Sequence, residues 1–336
     1  MSVEVVGGLR WVEHVMGTTV SIQVEPPLVP DQILREVVAG LHDIDARFST
    51  YKPDSEISRL MRGELSESDA SPDVRHVIAA CDHLAIATGG AFDARRHRAD
   101  GRLDPSGFVK GWAIEEAAWQ IDAAGGRNYC INAGGDIVAR GLAATGHPWR
   151  VGIRHPDQAD RVAAVLAVSD RAVATSGDYE RGDHVRDPRS GRAATGLRSV
   201  TLVGPRLAFT DAYATAVYAM GLDGLTWLAT DGRGEDYAAY AITDDGRAVW
   251  TEGMESYLVS EGWRDRPLPA GQGASDGQDD EGEHQEHRHA DGNPDQVIEL
   301  GPPQLADVYH SFLNSAVSED ASDHERHRDP TERHHE

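Results

Sequence analysis

Apolar and polar positions change period several times along this chain, and the changes mark its elements. Leu9–Val24 alternates in the two-residue period of a strand and breaks at Met16-Gly17-Thr18. This predicts one or two strands turning at the break. Asp31–Phe48 carries Ile33, Leu34, Val37, Val38, Leu41 and Ile44 on one helical face, with Asp31 as its cap. A second helix is predicted over Val74–Thr88, ended by Gly89-Gly90, and a third over about Val109–Ala124, stopped by Gly125-Gly126. Tyr129–Arg140 reads as a strand broken at Asn132-Ala133-Gly134-Gly135-Asp136, where adjacent glycines mark a bulge or a close backbone approach. Strand-like runs follow at Trp149–Arg154, Val162–Val168, Ala172–Thr175 and Ser199–Val203. Thr210–Met220 and Leu222–Thr230 read as helices, and Tyr237–Thr243 and Ala248–Thr251 as closing strands. Strands punctuated by helices, without regular β-α-β alternation, predict an α+β fold with mainly antiparallel sheets packed with helices.

Composition divides the chain after about Pro269. Residues 273–336 hold 17 Asp and Glu against 4 Arg and no Lys, which is −13 of the net charge of −24, and 8 of the 16 His. Such a segment buries too little apolar surface to offset the entropy of ordering, so residues 269–336 are expected to form a disordered acidic, His-rich tail. Within it, Leu305, Val308, Phe312 and Leu313 stand at helical spacing, which predicts a short helix near residues 303–315. Residues 1–268 are long enough for one substantial core or two closely associated lobes. Cys81 and Cys130 both lie in apolar runs and read as buried small hydrophobes rather than a disulfide. The chain shows no membrane-spanning run and no basic stripe. These features predict a cytoplasmic protein without membrane insertion or nucleic-acid partner.

The stretch from Asp104 to Glu116, Asp-Pro-Ser-Gly-Phe-Val-Lys-Gly-Trp-Ala-Ile-Glu-Glu, carries the strongest chemical signal. Lys110 is one of only two lysines, against 30 arginines, and stands at a Gly-flanked turn that opens a helix. Ser106, Gly107 and Gly111 would let the backbone approach a ligand, and the helix start would favour an anion. The alternative is a glycine-containing turn whose lysine faces water. In Thr210-Asp211-Ala212-Tyr213-Ala214-Thr215, Asp211 and Thr215 stand at i and i+4. A carboxylate and a hydroxyl are hard oxygen ligands suited to Mg²⁺, although either Thr210 or Asp211 could instead cap the helix. His184 precedes the tight turn Asp187-Pro188-Arg189-Ser190-Gly191, at a site edge or in a surface loop.

The order of these segments is more specific than any one of them. Met16-Gly17-Thr18, Ser49 to Glu56, Thr88 to Asp93, Asp104 to Glu115, Asn132 to Asp136, Ser176-Gly177, His184 to Gly191 and Asp211 to Thr215 together resemble the ApbE-type FAD:protein FMN transferases. The resemblance spans about Trp11 to Val259 and leaves the tail unmatched. It implies two lobes around a flavin cleft and transfer of the FMN part of FAD to a Thr or Ser hydroxyl of an acceptor flavoprotein, with AMP released. It also implies Mg²⁺ held by Asp211, Thr215 and the Val109 carbonyl. Ser106 and Lys110 would face the diphosphate. Met16, Tyr51, Ala91, Phe92, Asp93 and Trp112 would border the nucleotide, with His184 and Val185 approaching from the other lobe. Lys110 would add catalytic positive charge, and either His184 or Glu115 would act as general base. Two other activities share these parts: an FAD pyrophosphatase yielding FMN and AMP, and a non-catalytic flavin-binding module.

Overall fold

A computed structural model describes residues 8–96, 102–158, 161–177, 187, 189–230 and 233–259, together with the backbone of residues 2–5. The chain divides into two units, 1–303 and 304–336, and every described residue belongs to the first. The expected tail and its short helix lie outside the described residues, as do His184 and Val185.

Among the described residues, nine strands form one sheet in the order β1-β2-β3-β4-β5-β8-β9-β10-β11, and β6 and β7 form a separate two-stranded ribbon. The strands are β1 Ser2–Val5, β2 Gly8–Val15, β3 Thr18–Glu25, β4 Asn128–Ala133, β5 Asp136–Arg140 and β6 Trp149–Arg154. They continue with β7 Val162–Val168, β8 Arg171–Gly177, β9 Leu197–Gly204, β10 Ala238–Thr243 and β11 Ala248–Trp250. Every pairing is antiparallel. The helices are α1 Asp31–Phe48, α2 Glu56–Met61, α3 Pro72–Ala87, α4 Ser106–Ala123, α5 Leu207–Met220 and α6 Leu222–Ala229. The α+β expectation holds, with the N-terminal and C-terminal strands sharing one sheet.

Strand periodicity assigns the two faces of that sheet. Tyr129 on β4 turns towards α4, where its hydroxyl donates to the Ala118 carbonyl at 2.9 Å. Ile131 and Ala133, two and four residues on, share that face. Cys130 points the other way, into a buried cluster with Trp149, Val151 and Ile153 of the ribbon and Val173, Val203 and Tyr240 of the sheet. Helices therefore cover one face and the β6–β7 ribbon covers part of the other. Both cysteines are buried, and neither is in a disulfide. Among the described residues, no helix is long and apolar enough to cross a membrane.

Several boundaries differ from the sequence reading. Pro30, not Asp31, is the N-cap of α1, and Asp31 sits in its first turn. The glycines at 134 and 135 do not interrupt one strand. With φ of 62° and 104° they form a tight turn that folds β4 back on β5, pairing Ala133 with Asp136. The β2–β3 turn is similar, with Met16 at φ 54° and Gly17 at φ 71°. Helices α4 and α5 each begin three residues earlier than the apolar period indicates. The short α2, capped by the Ser55 hydroxyl accepting from the Ser58 N–H at 3.0 Å, has too few turns to show a period.

Candidate active site

Two buried helices and one end of the sheet make the site. Helix α4 presents Lys110, α5 presents Asp211 and Thr215, the β4–β5 turn delivers Asp136, and the end of β8 brings Ser176. Asp136 pairs with Ala133 across the turn and so lies on the helix-covered face. The Lys110 ammonium is in direct contact with Asp136 Oδ2 and lies 3.8 Å from Asp211 Oδ2. These side chains are well shielded: Lys110 is 18% exposed, Asp136 2% and Asp211 8%. Asp136 Oδ1 accepts a hydrogen bond from the Thr175 N–H at 3.3 Å, which ties the carboxylate to β8. One turn beyond Asp211, the Thr215 hydroxyl lies 3.4 Å from that of Ser176.

The close approach of α4 and α5 sets this geometry. A Cβ on Gly111 would stand 2.7 Å from Ala208 Cα and 2.8 Å from Ala208 N, both main-chain atoms. Gly111 therefore serves helix contact, not ligand approach. At Gly107 the contact is looser, since a Cβ there would come 3.2 Å from the Phe92 ring. Lys110 stands in the second turn of α4 rather than in a turn before it, and several N–H groups at the helix start are engaged within the chain. Asp104 Oδ1 accepts from the Ser106 N–H at 3.1 Å, and the Phe108 and Val109 N–H groups both donate to the Pro105 carbonyl.

The other candidates separate into groups. Ala91 and Phe92 are buried, and Phe92 is held by its N–H donating to the Thr88 hydroxyl at 3.0 Å. Asp93 is half-buried and its Oδ1 accepts from the Arg95 N–H at 2.8 Å. Ser106 is exposed at the start of α4, and Val109 is buried within its first turn. Met16 is half-buried, while Tyr51 is 92% exposed in the loop joining α1 to α2. Trp112 packs edge-on against Phe48 with ring centroids 5.3 Å apart and is itself buried. Glu115 pairs with Arg206 at 2.9 Å, and the backbone at Leu207 and Ala208, where α5 starts, favours its charged form. Burial pushes its carboxyl above the usual glutamate range, and Arg206 and Arg140 pull against that rise.

Neither capping role expected near the start of α5 applies. Thr210 and Asp211 both lie inside the helix, and the Thr210 hydroxyl donates back to the Arg206 carbonyl at 2.6 Å. Asp136 and Ser176 lie in segments that carry the family resemblance, but the sequence assigns neither a role. The signal for Asp136 was the glycine pair before it, which reads as a strand break until the partner strand is known.

Oxygen donors are gathered around an ammonium, on an antiparallel sheet backed by two buried helices. The family model of the ApbE family matches residues 16–96 and 94–240. The chain belongs to the ApbE family. It is similar to the FAD:protein FMN transferase of Vibrio cholerae, 27% identical over 268 residues, which covers 61% of this chain and 79% of that relative. The FAD:protein FMN transferase of Escherichia coli K12 is 32% identical over 172 residues, 47% of this chain and 48% of the relative. The crystal structure of the ApbE protein of Thermotoga maritima matches with a TM-score of 0.66 at 23% identity, covering 75% of this chain and 100% of that one. At that identity the structural likeness speaks for the fold.

Proposed function

We propose that this protein transfers the FMN moiety of FAD to a Ser or Thr hydroxyl of an acceptor flavoprotein. The observation that carries the reading is the convergence of Lys110, Asp136 and Asp211 beside the Thr215 and Ser176 hydroxyls. The relatives named FAD:protein FMN transferase support the same conclusion. In the proposed reaction the acceptor oxygen attacks the FMN phosphorus of the diphosphate. The bond from that phosphorus to the bridging oxygen breaks, and AMP leaves. The hydroxyl proton passes to a general base.

Such a transfer asks the protein for positioning and charge neutralisation more than for covalent chemistry. Lys110 supplies a shielded positive charge for the diphosphate, which counts for more there than in water. Asp211, with Thr215 and the Val109 carbonyl, would hold Mg²⁺. The donor set fits, because a buried carboxylate and a hydroxyl are hard ligands and Asp211 already faces a cation in the Lys110 ammonium. When bound, Mg²⁺ would neutralise phosphate oxygens. Met16, Tyr51, Ala91, Phe92, Asp93 and Ser106 would border the nucleotide. Trp112 belongs behind this surface, since it is packed on Phe48. Of the two candidate bases, Glu115 is committed to Arg206 and to α5, which favours His184. A cytoplasmic acceptor fits the sequence reading.

The test incubates purified protein with FAD and Mg²⁺, with and without a flavodomain that carries an acceptor Ser or Thr. AMP is followed by chromatography and protein-bound flavin by in-gel fluorescence. Mg²⁺-dependent fluorescence fixed to the acceptor, matched by AMP, is the expected result. AMP and free FMN formed at the same rate without acceptor would replace transfer with hydrolysis.

A further inference from the structure

Asp136 is placed more firmly than its position after a turn requires. The Gly134-Gly135 turn sets it at the first residue of β5, the register turns it to the helix-covered face, and the Thr175 N–H holds its Oδ1 from the neighbouring strand. Its other oxygen contacts the Lys110 ammonium directly. Asp211 Oδ2 stands 3.8 Å from the same nitrogen, one step further away. One ammonium thus faces two buried carboxylates, and the shorter contact goes to Asp136.

This order has a consequence at Asp211. A buried carboxylate needs a positive partner, because its charge has left water. Lys110 and a divalent cation would compete for Asp211, and an ammonium seated fully on it would have to be displaced before the cation bound. A second carboxylate in contact with the same ammonium removes that conflict. We infer that Asp136 is a positioning residue that draws Lys110 off Asp211, leaving Asp211 available to a divalent cation while Lys110 stays beside the site. The inference rests on the metal-dependent reading of the proposed function. It assigns to Asp136 no contact with substrate.

The test measures Mn²⁺ binding to the full-length protein without FAD, using the electron paramagnetic resonance signal of free Mn²⁺. Asp136→Asn keeps a carbonyl for the Thr175 N–H but loses the charge that holds Lys110. It is expected to weaken Mn²⁺ binding about 10-fold or more, the usual scale for losing a group that supports a metal ligand. Adding Lys110→Met to Asp136→Asn removes the competing ammonium and should recover most of that loss. A merely structural role for Asp136 predicts no such recovery. Melting curves check that each variant is folded, and Asp136→Ser makes the same comparison should the amide distort β5. Unchanged affinity in Asp136→Asn, or no recovery in the double variant, overturns the positioning role. Asp211→Asn separates the metal site from the positioning role. If wild type and Asp211→Asn bind Mn²⁺ alike, the metal reading falls and this inference with it. If binding depends on Asp211 but not on Asp136, the positioning role alone falls.

Discussion

Arg206 Nη2 donates to Glu115 Oε2 at 2.9 Å and closes the junction between α4 and α5. Glu115 stands on α4 and Arg206 just before α5, so this ion pair ties the two helices together. Glu115→Ala removes this pair and should cost on the order of 2–3 kcal/mol in chemical denaturation. The pair also gives stability a pH dependence. Burial raises the Glu115 carboxyl above its ordinary value, so the folded protein holds this proton more tightly than the unfolded chain does. The stability from this group is therefore fully present below the ordinary glutamate range and is lost as pH rises from there through the raised folded value. Glu115→Gln does not titrate. Its stability relative to wild type should improve as pH rises above that range, and an unchanged difference across that pH window would contradict the assignment.

Gly111 sets the distance between the helices that carry Lys110 and Asp211. A methyl group there meets main-chain atoms of Ala208 at 2.7 Å and 2.8 Å, and the backbone cannot rotate aside as a side chain would. Gly111→Ala should destabilise the protein by about 1–3 kcal/mol, read as a lower denaturant midpoint. Flavin transfer should fall with it, because Lys110 adjoins the displaced contact. Gly146, which has no atoms within 4 Å of an added Cβ and sits at φ 74°, provides a comparison in which backbone strain acts without a clash.

Asp211→Asn retains the shape of the side chain and removes its charge. Under the proposed function, Mg²⁺-dependent AMP release should drop by about 100-fold or more while the melting temperature stays near wild type. Excess EDTA should stop the wild-type reaction, and added Mg²⁺ should restore it. Full activity in the chelator would remove the metal from the mechanism.

The ApbE family match ends at residue 240, and the described structure ends at Val259. Deleting residues 273–336 should therefore leave flavin transfer and its Mg²⁺ requirement unchanged, as measured by AMP release across a Mg²⁺ titration. A marked rise in the Mg²⁺ needed would assign the acidic, His-rich segment a part in metal supply.

The sequence by itself determined most of the elements, because burial repeats with the period of the backbone. The row from Leu34 to Ile44 announced α1, the alternation in Leu9–Val24 announced β2 and β3, and the order of short motifs pointed to the family. Lys110 stood out through the rarity of lysine, and Asp211 with Thr215 through helical spacing. Tertiary structure decided what those residues meet. Gly111 looked like room for a ligand and proved to be the contact between two helices. Glu115 looked like a base and proved to be joined to Arg206, 91 positions away. Asp136 looked like the end of a broken strand until the sheet order set it against Lys110. Local periodicity records which way a side chain faces. Which distant side chain meets it depends on strand order and helix contact, and those are fixed only when the whole sheet is assembled.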